Sequence, residues 1–219
     1  MAALVLISGG LDSTVAAALY RDRGGEVGAG LFVDYGQRAA DREAVAAVAV
    51  GRALGFEVLC TGLPLLGEVS GDALTTGSRD VPQPKDDELE GRAAVASADA
   101  VWVPNRNGLL VNLAAAVAEA RGLDDVLVGF NREEAETFPD NGQAFLDALN
   151  GCLAHSTRGA VKVVAPLIDL SKAELLAAGR AAGAPLEATW SCYEGGLTPC
   201  GACESCRRRD RAERLSPPS

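Results

Sequence analysis

The sequence predicts an α/β fold: a doubly wound, mostly parallel five-stranded sheet with helices on both faces and a small cysteine-bearing segment at its C-terminal end. Two observations carry this. Short apolar runs alternate with helix-forming stretches from end to end, the pattern that gives parallel strands joined by right-handed crossovers. The polar, glycine-bearing turns follow the apolar runs, at the strand ends where open α/β sheets take their ligands. At 219 residues the chain suits one such domain with a small appendage.

The first element sets the frame. Leu4-Val5-Leu6-Ile7 reads as a strand buried on both faces. In the run Ser8-Gly9-Gly10-Leu11-Asp12-Ser13 that follows, Gly9 and Gly10 allow a tight turn, Asp12 and Ser13 sit where a helix begins, and the Ala-rich stretch from Val15 to Tyr20 continues it. Strand, glycine turn and helix N-terminus together make an anion site, because free N–H groups and the positive end of the helix dipole point at one spot. Ser8, Ser13 and Thr14 add hydroxyls around it. The run is neither GxxxxGK[ST] nor GxGxxG. It resembles the SGGxDS pyrophosphate loop of the adenylating PP-loop ATPases, which implies ATP as a substrate, AMP and pyrophosphate as products, and magnesium held with the help of Asp12.

The other elements follow in order. The first helix runs to about Arg23 and stops at Gly24-Gly25. Glu26 to Val33 is the second strand, and its end delivers Asp34-Tyr35-Gly36-Gln37 towards the nucleotide. Arg38 to Leu54 is an amphipathic helix and Phe56 to Cys60 the third strand. Thr61 to Ala100 lacks a clean period, and 79–98 is expected to be a poorly ordered insert carrying solvated charge. Asn105, Arg106 and Asn107 bracket the start of a helix over Gly108 to Arg121, suited to an anionic or amide-bearing ligand. Val126 to Gly129 is a fourth strand, and the loop after it holds Glu133, Glu134, Glu136 and Asp140, able to hold a metal or accept substrate N–H groups. Gln143 to Ala154 is helical, and His155 near its end serves the helix dipole, outside the site. Val161 to Ala165 is the fifth strand. Ser171-Lys172-Ala173-Glu174 is a capping box opening a helix to about Ala182. Lys172 is a cation at the positive end of that helix, which either a phosphate partner or plain exposure explains.

Composition narrows the function classes. No apolar run approaches the ~20 residues of a membrane span. No secretion signal is read at the N-terminus, so a cytoplasmic location is expected. A net charge of −10 speaks against broad nucleic-acid binding. Of the six cysteines, Cys60 and Cys152 are isolated and expected to be small buried hydrophobes. Cys192, Cys200, Cys203 and Cys206 stand at spacings that match a closed tetrahedral zinc site of structural type, with an iron–sulfur cluster as the rival. Disulfides do not suit a reducing compartment. The arginines from Arg207 to Arg211 are read as capping the last helix.

SGGLDS, Asp34-Tyr35-Gly36-Gln37-Arg38, Val103-Pro104-Asn105-Arg106-Asn107, Phe138-Pro139-Asp140, Thr189-Trp190-Ser191-Cys192-Tyr193 and Cys200-Gly201-x-Cys203-x-Ser205-Cys206 occur in this order. Together they resemble the 7-cyano-7-deazaguanine synthase (QueC) family of PP-loop enzymes, over nearly the whole chain. Two departures stand out: Asn105 where the family usually has Gly, and Asn131-Arg132-Glu133-Glu134 where it more often reads like Asn-Ala-Glu-Asp.

The resemblance implies a Rossmann-type fold of the adenine nucleotide alpha-hydrolase kind, with 1–186 as the catalytic domain and 187–219 as the zinc-binding segment. It implies that 7-carboxy-7-deazaguanine is adenylated by ATP, amidated by ammonia, then activated again and dehydrated to the nitrile. Ile7, Ser8, Gly9, Gly10, Leu11, Asp12, Ser13, Thr14, Tyr35 and Gln37 would hold the nucleotide and Mg2+. Asp12, Ser13, Arg106 and Lys172 would serve catalysis. Asn105, Arg106, Asn107, Asn131, Glu133, Phe138, Asp140 and Trp190 would meet the substrate, with Trp190 stacking on the planar base, Glu133 and Asp140 accepting its N–H groups, and Arg106 and Asn107 holding its carboxylate. A homodimer without stable nucleic-acid binding is expected. The rivals are a PP-loop transferase acting on transfer RNA, of thiouridine or lysidine type, and a non-catalytic nucleotide- or zinc-binding module. The acidic net charge weighs against the first and the intact SGGLDS against the second.

Overall fold

The computed structural model describes residues 1–75 and 79–217. Five strands, β1 (Ala2–Leu6), β2 (Glu26–Asp34), β3 (Glu57–Gly62), β4 (Asp125–Leu127) and β5 (Lys162–Val164), form one sheet in the order β3-β2-β1-β4-β5. Every neighbouring pair is parallel, with Leu4 opposite Ala29 on one side and Val126 on the other. The strand order reverses across β1, between β2 and β4, and that switch point is where a doubly wound sheet opens a crevice.

The helices are α1 (Leu11–Asp22), α2 (Ala40–Leu54), α3 (Leu65–Val69), α4 (Gly91–Ala100), α5 (Arg106–Arg121), α6 (Arg132–Ala135), α7 (Gln143–Ser156), α8 (Lys172–Ala181) and α9 (Glu204–Leu215). Side chains of β1 alternate between two cores, as the strand period of two requires. Leu4 packs with Leu110, Val111 and Ala114 of α5 and Leu149 of α7. Ala3, Val5 and Ile7 pack on the opposite face with Ala17 of α1 and Ala47 and Val50 of α2. A third cluster joins Leu11 and Val15 of α1 to Leu175 and Leu176 of α8 and Ala212 of α9, so the C-terminal segment is seated on α1.

The stretch 79–98 differs from its expectation. It carries a 3-10 turn at Asp86–Glu88 and most of α4, and Val81, Leu89, Ala94 and Ala98 are buried. Its few apolar residues are spaced to face inward, and the surrounding charge hides that spacing in the sequence. Cys60 and Cys152 are exposed, so neither is the buried hydrophobe expected. The run Arg207 to Arg211 lies inside α9, beginning in its first turn, so it does not cap that helix. The capping box at Ser171 forms as read, with the Glu174 carboxylate accepting the Ser171 N–H at 2.8 Å. No helix among the described residues is long and apolar enough to cross a membrane.

Candidate active site

The turn after β1 is shaped by Gly9. Its φ is +75°, and a Cβ there would stand 2.4 Å from the Glu43 carbonyl oxygen and 2.7 Å from the Ala47 nitrogen of α2. Only glycine fits. The N-cap of α1 is Gly10, and no side chain caps the helix. Gly10, Leu11, Asp12 and Ser13 instead border a cavity of about 260 Å³. The Ser8 and Ser13 hydroxyls sit 3.2 Å apart and rim it. Thr14, in contrast, is buried and its hydroxyl donates back to the Gly10 carbonyl at 2.8 Å. Glycine is needed a second time, at Gly129, where a Cβ would meet the Ser13 nitrogen at 2.9 Å. The chain leaving β4 thus runs directly against the first turn of α1.

That close approach assembles a charged cluster. Lys172, the first residue of α8, is buried and places its ammonium 2.6 Å from Asp12 Oδ2 and 2.7 Å from Glu134 Oε1. Asn131 caps α6 by accepting the Glu134 N–H, and its Nδ2 donates to Asp12 Oδ2 at 3.3 Å. Burial raises the Asp12 pKa, further than Lys172 lowers it. Burial also works to raise Glu134, but there Lys172 prevails and the carboxyl is held below its ordinary range. Burial works against the Lys172 ammonium, yet the two carboxylates keep its pKa above the usual value. Plain exposure does not explain Lys172 in this structure, since the cation is buried between two carboxylates.

Arg106 borders the same cavity. Its guanidinium lies over the Tyr35 ring at 5.7 Å from the centroid, donates to the Tyr35 hydroxyl at 3.3 Å and to Asn107 Oδ1 at 3.3 Å. Asn105, just before it, is in the left-handed region at φ 52°, which accounts for a position the family usually fills with glycine. Gln37 is buried and fully engaged: it accepts the Tyr35 N–H and donates to Val33 and to Glu43 Oε2. Phe130, Phe138, Asn141 and Tyr193 also border the cavity, and Phe138 stacks on Trp102 at 6.5 Å.

Several expected contacts are not brought to the cavity wall. Trp190 lies against the buried cysteines, its Nε1 donating to the Cys192 carbonyl at 2.8 Å and Arg42 lying over its ring. Glu133 has both oxygens occupied, one by Arg208 at 3.0 Å and one by the Lys172 N–H at 3.0 Å. Asn105, Asn107, Asn131 and Asp140 do not line the cavity: Asn105 is exposed, Asn107 donates to the Asp140 carbonyl and Asn131 to Asp12. Tyr193, Glu204 and Arg208 border the cavity and were not singled out from the sequence for the site, and Glu134, read only as one of the loop carboxylates, borders it too. Asn131-x-x-Glu134 is a capping spacing and Glu204-x-x-x-Arg208 an i,i+4 ion-pair spacing, so both signals were present.

Cys192, Cys200, Cys203 and Cys206 bring their sulfurs within 4.8 Å of one another. Backbone N–H groups of Cys200, Ala202 and Cys203 donate to these sulfurs at 3.3–3.4 Å. Four converging thiols with amide donors form a set that fits a tetrahedral thiolate-bound metal. The backbone N–H of Trp190 donates to the Gly9 carbonyl at 2.8 Å, which ties this segment to the SGGLDS turn.

The model of the queuosine biosynthesis protein QueC matches residues 2–215. The chain belongs to the QueC family. Members of this family close to it include a 7-cyano-7-deazaguanine synthase of Desulforudis audaxviator (strain MP104C), 49% identical over 215 residues and covering 98% of this chain and 97% of that protein. Another of that name, from Methanosarcina mazei, is 43% identical over 216 residues, covering 97% of this chain and 93% of its own. Among solved structures, one described as a predicted subunit of tRNA methyltransferase from Methanocaldococcus jannaschii superposes with a TM-score of 0.50 at 15% identity, over 82% of this chain and 74% of that one. That likeness concerns the fold alone. Membership in QueC makes the chain an enzyme of a queuosine-biosynthesis family.

Proposed function

We propose that the enzyme converts 7-carboxy-7-deazaguanine and ammonia into 7-cyano-7-deazaguanine with ATP, through adenylated carboxylate and adenylated amide intermediates. The observation that carries this is the meeting of the uncapped SGGLDS helix start, the Asp12–Lys172–Glu134 cluster and Arg106 around one cavity. A carboxylate is a poor electrophile and oxide a poor leaving group, so each oxygen must leave as a phosphate ester. In this reading the amides of Gly10 to Ser13 and the Ser8 and Ser13 hydroxyls grip the pyrophosphate. Lys172 supplies positive charge beside it. Arg106 and Tyr193 face the carboxylate end of the substrate, and Phe138 flanks its ring. Asp12 Oδ1 is buried without a hydrogen-bond partner, which suits a ligand to Mg2+. The ion supplies charge neutralisation on the phosphates.

The same reading carries with it zinc in the four-cysteine site, a cytoplasmic homodimer and no stable binding of nucleic acid, on the strength of the family and a net charge of −10. Incubation with ATP, magnesium, ammonium and the carboxy-deazaguanine, followed by mass spectrometry, tests it. The nitrile should form with two AMP and two pyrophosphate per turnover. ADP and phosphate as primary products sink the reading.

A further inference from the structure

We propose that Arg208 is a positioning residue for the catalytic cluster: it fixes Glu133, and through Glu133 the N-terminus of α8 that carries Lys172. The inference rests on the reading of Asp12 and Lys172 as part of the ATP site.

Arg208 is buried, and each guanidinium nitrogen has its own acceptor. Nε donates to Glu204 Oε1 at 2.9 Å, Nη1 to Glu133 Oε1 at 3.0 Å and Nη2 to the Leu89 carbonyl at 3.1 Å. Those acceptors lie on α9 itself, on α6 and at the end of the 3-10 turn preceding α4. The guanidinium is thus a three-way joint between the C-terminal helix, the loop after β4 and the segment before α4. A planar fork of donors serves such a joint where a lysine ammonium does not.

The connection runs on from Glu133. Its second oxygen accepts the Lys172 N–H at 3.0 Å. Lys172 is the first residue of α8, so its N–H has no partner within the helix. Glu133 supplies one and sets a negative charge at the positive end of α8. Glu133 and Glu134 are adjacent on the four-residue helix α6, so holding the first aims the second. Glu134 then meets the Lys172 ammonium, which meets Asp12. Arg208 also stands in a partition. Its side chain borders both the main cavity and a second one of about 650 Å³, whose wall includes Glu133 but not Glu134. The helix carrying Arg208 starts with Cys203 as its N-cap, so the fold of the cysteine segment sets where this joint stands.

A buried arginine that merely holds α9 in place would affect turnover only through the amount of folded protein. A positioning residue lowers kcat per folded molecule, leaves the KM for ATP nearly alone and acts through Glu133. The test compares the wild type with Arg208→Lys, Glu133→Gln and the double variant, in nitrile-forming steady-state kinetics with thermal melting of each protein. Wild type that makes no nitrile refutes the proposed reaction and overturns this proposal with it; an active wild type separates the two. With an active wild type, each single variant is expected to lose about 10- to 100-fold in kcat with KM for ATP within about threefold, and the double to lose no more than the worse single, because both cut one link. Losses that multiply in the double variant overturn the proposal. So does unchanged kcat in Glu133→Gln, which leaves the buried arginine intact and tests the link even if Arg208→Lys folds poorly.

Discussion

Lys172 stands at the first position of α8 and holds its ammonium 2.6 Å from Asp12, 160 residues earlier in the chain. The pair joins the loop after β1 to a helix that starts well beyond β5. It also settles a local conflict, since a cation at a helix N-terminus opposes the dipole unless carboxylates compensate. Asp12 and Glu134 do so.

Asp12→Asn is expected to abolish most turnover while preserving the fold. Burial already disfavours the ionised form of Asp12, and Glu134 remains to pair with Lys172 in the variant. Loss of a magnesium-holding oxygen, worth several kcal/mol in the transition state, corresponds to a fall of at least about 100-fold in kcat. Thermal melting should move by only a few degrees. Near-normal turnover at saturating magnesium clears Asp12 of this role.

Glu43 gives a pH-dependent stability. It borders the cavity on α2, and burial raises its pKa to about 6, against the Gln37 hydrogen bond and the Arg106 charge that lower it. A carboxyl whose folded pKa exceeds its unfolded value adds stability that is full below the unfolded pKa and lost as pH rises through the folded one. The window therefore runs from about 4.5 to about 6. Glu43→Gln keeps an acceptor for Gln37 and removes the charge. At pH 8 it should be more stable than the parent by about 2 kcal/mol, on 1.36 kcal/mol per unit. The gap should shrink as the pH falls through about 6 and be nearly gone below about 4.5. Denaturant unfolding at several pH values checks this, and a gap that does not change with pH contradicts it.

The sheet and the SGGLDS turn were legible because their signals are local. Four apolar residues before SGGLDS, a capping box at Ser171 and the cysteine spacing each act within a few residues. Strand ends were less so: β5 stops at Val164, and β4 stops at Leu127, after which Gly129 and Phe130 border the cavity. The contacts that engage Glu133 and cover Trp190 away from the cavity wall are not visible in the local sequence. Nothing near Glu133 says that Arg208, 75 residues on, takes one of its oxygens. Trp190 reads as a free stacking surface until the fold brings Arg42 and the cysteines against it. Lys172 was noticed for breaking a local rule, and the cause lay in a distant carboxylate.

The cysteine site is expected to hold one zinc per chain, and metal-binding energy there is folding energy. Cys203 is fully buried and begins α9. Cys203→Ser should lower both the metal content and the melting temperature. It should also lower activity, because the segment donates the Trp190 backbone N–H to Gly9 in the SGGLDS turn. Elemental analysis and melting measure this together. A brown protein with iron and acid-labile sulfide points to a cluster in place of zinc.

Arg106 distinguishes the two ligands. The guanidinium is already oriented by the Tyr35 ring and hydroxyl and by Asn107, so it presents its remaining donors to the cavity without reorganisation. Burial opposes its charge, yet Tyr35 and Asp140 nearby keep its pKa above the ordinary value, and it stays a cation at every working pH. A hydrogen bond to a charged partner contributes about 1.5–3 kcal/mol, so Arg106→Ala should weaken binding of the carboxy-deazaguanine by roughly 10- to 100-fold. Arg106→Lys should recover only part of that, since a point ammonium cannot also stack on Tyr35 and reach Asn107. Affinity for ATP should change little in either variant. Calorimetry with each ligand separately decides the matter. If Arg106→Ala loses ATP and keeps the heterocycle, the arginine belongs to the phosphates and the substrate carboxylate must be held elsewhere, with Tyr193 as the next side chain on the cavity wall to test.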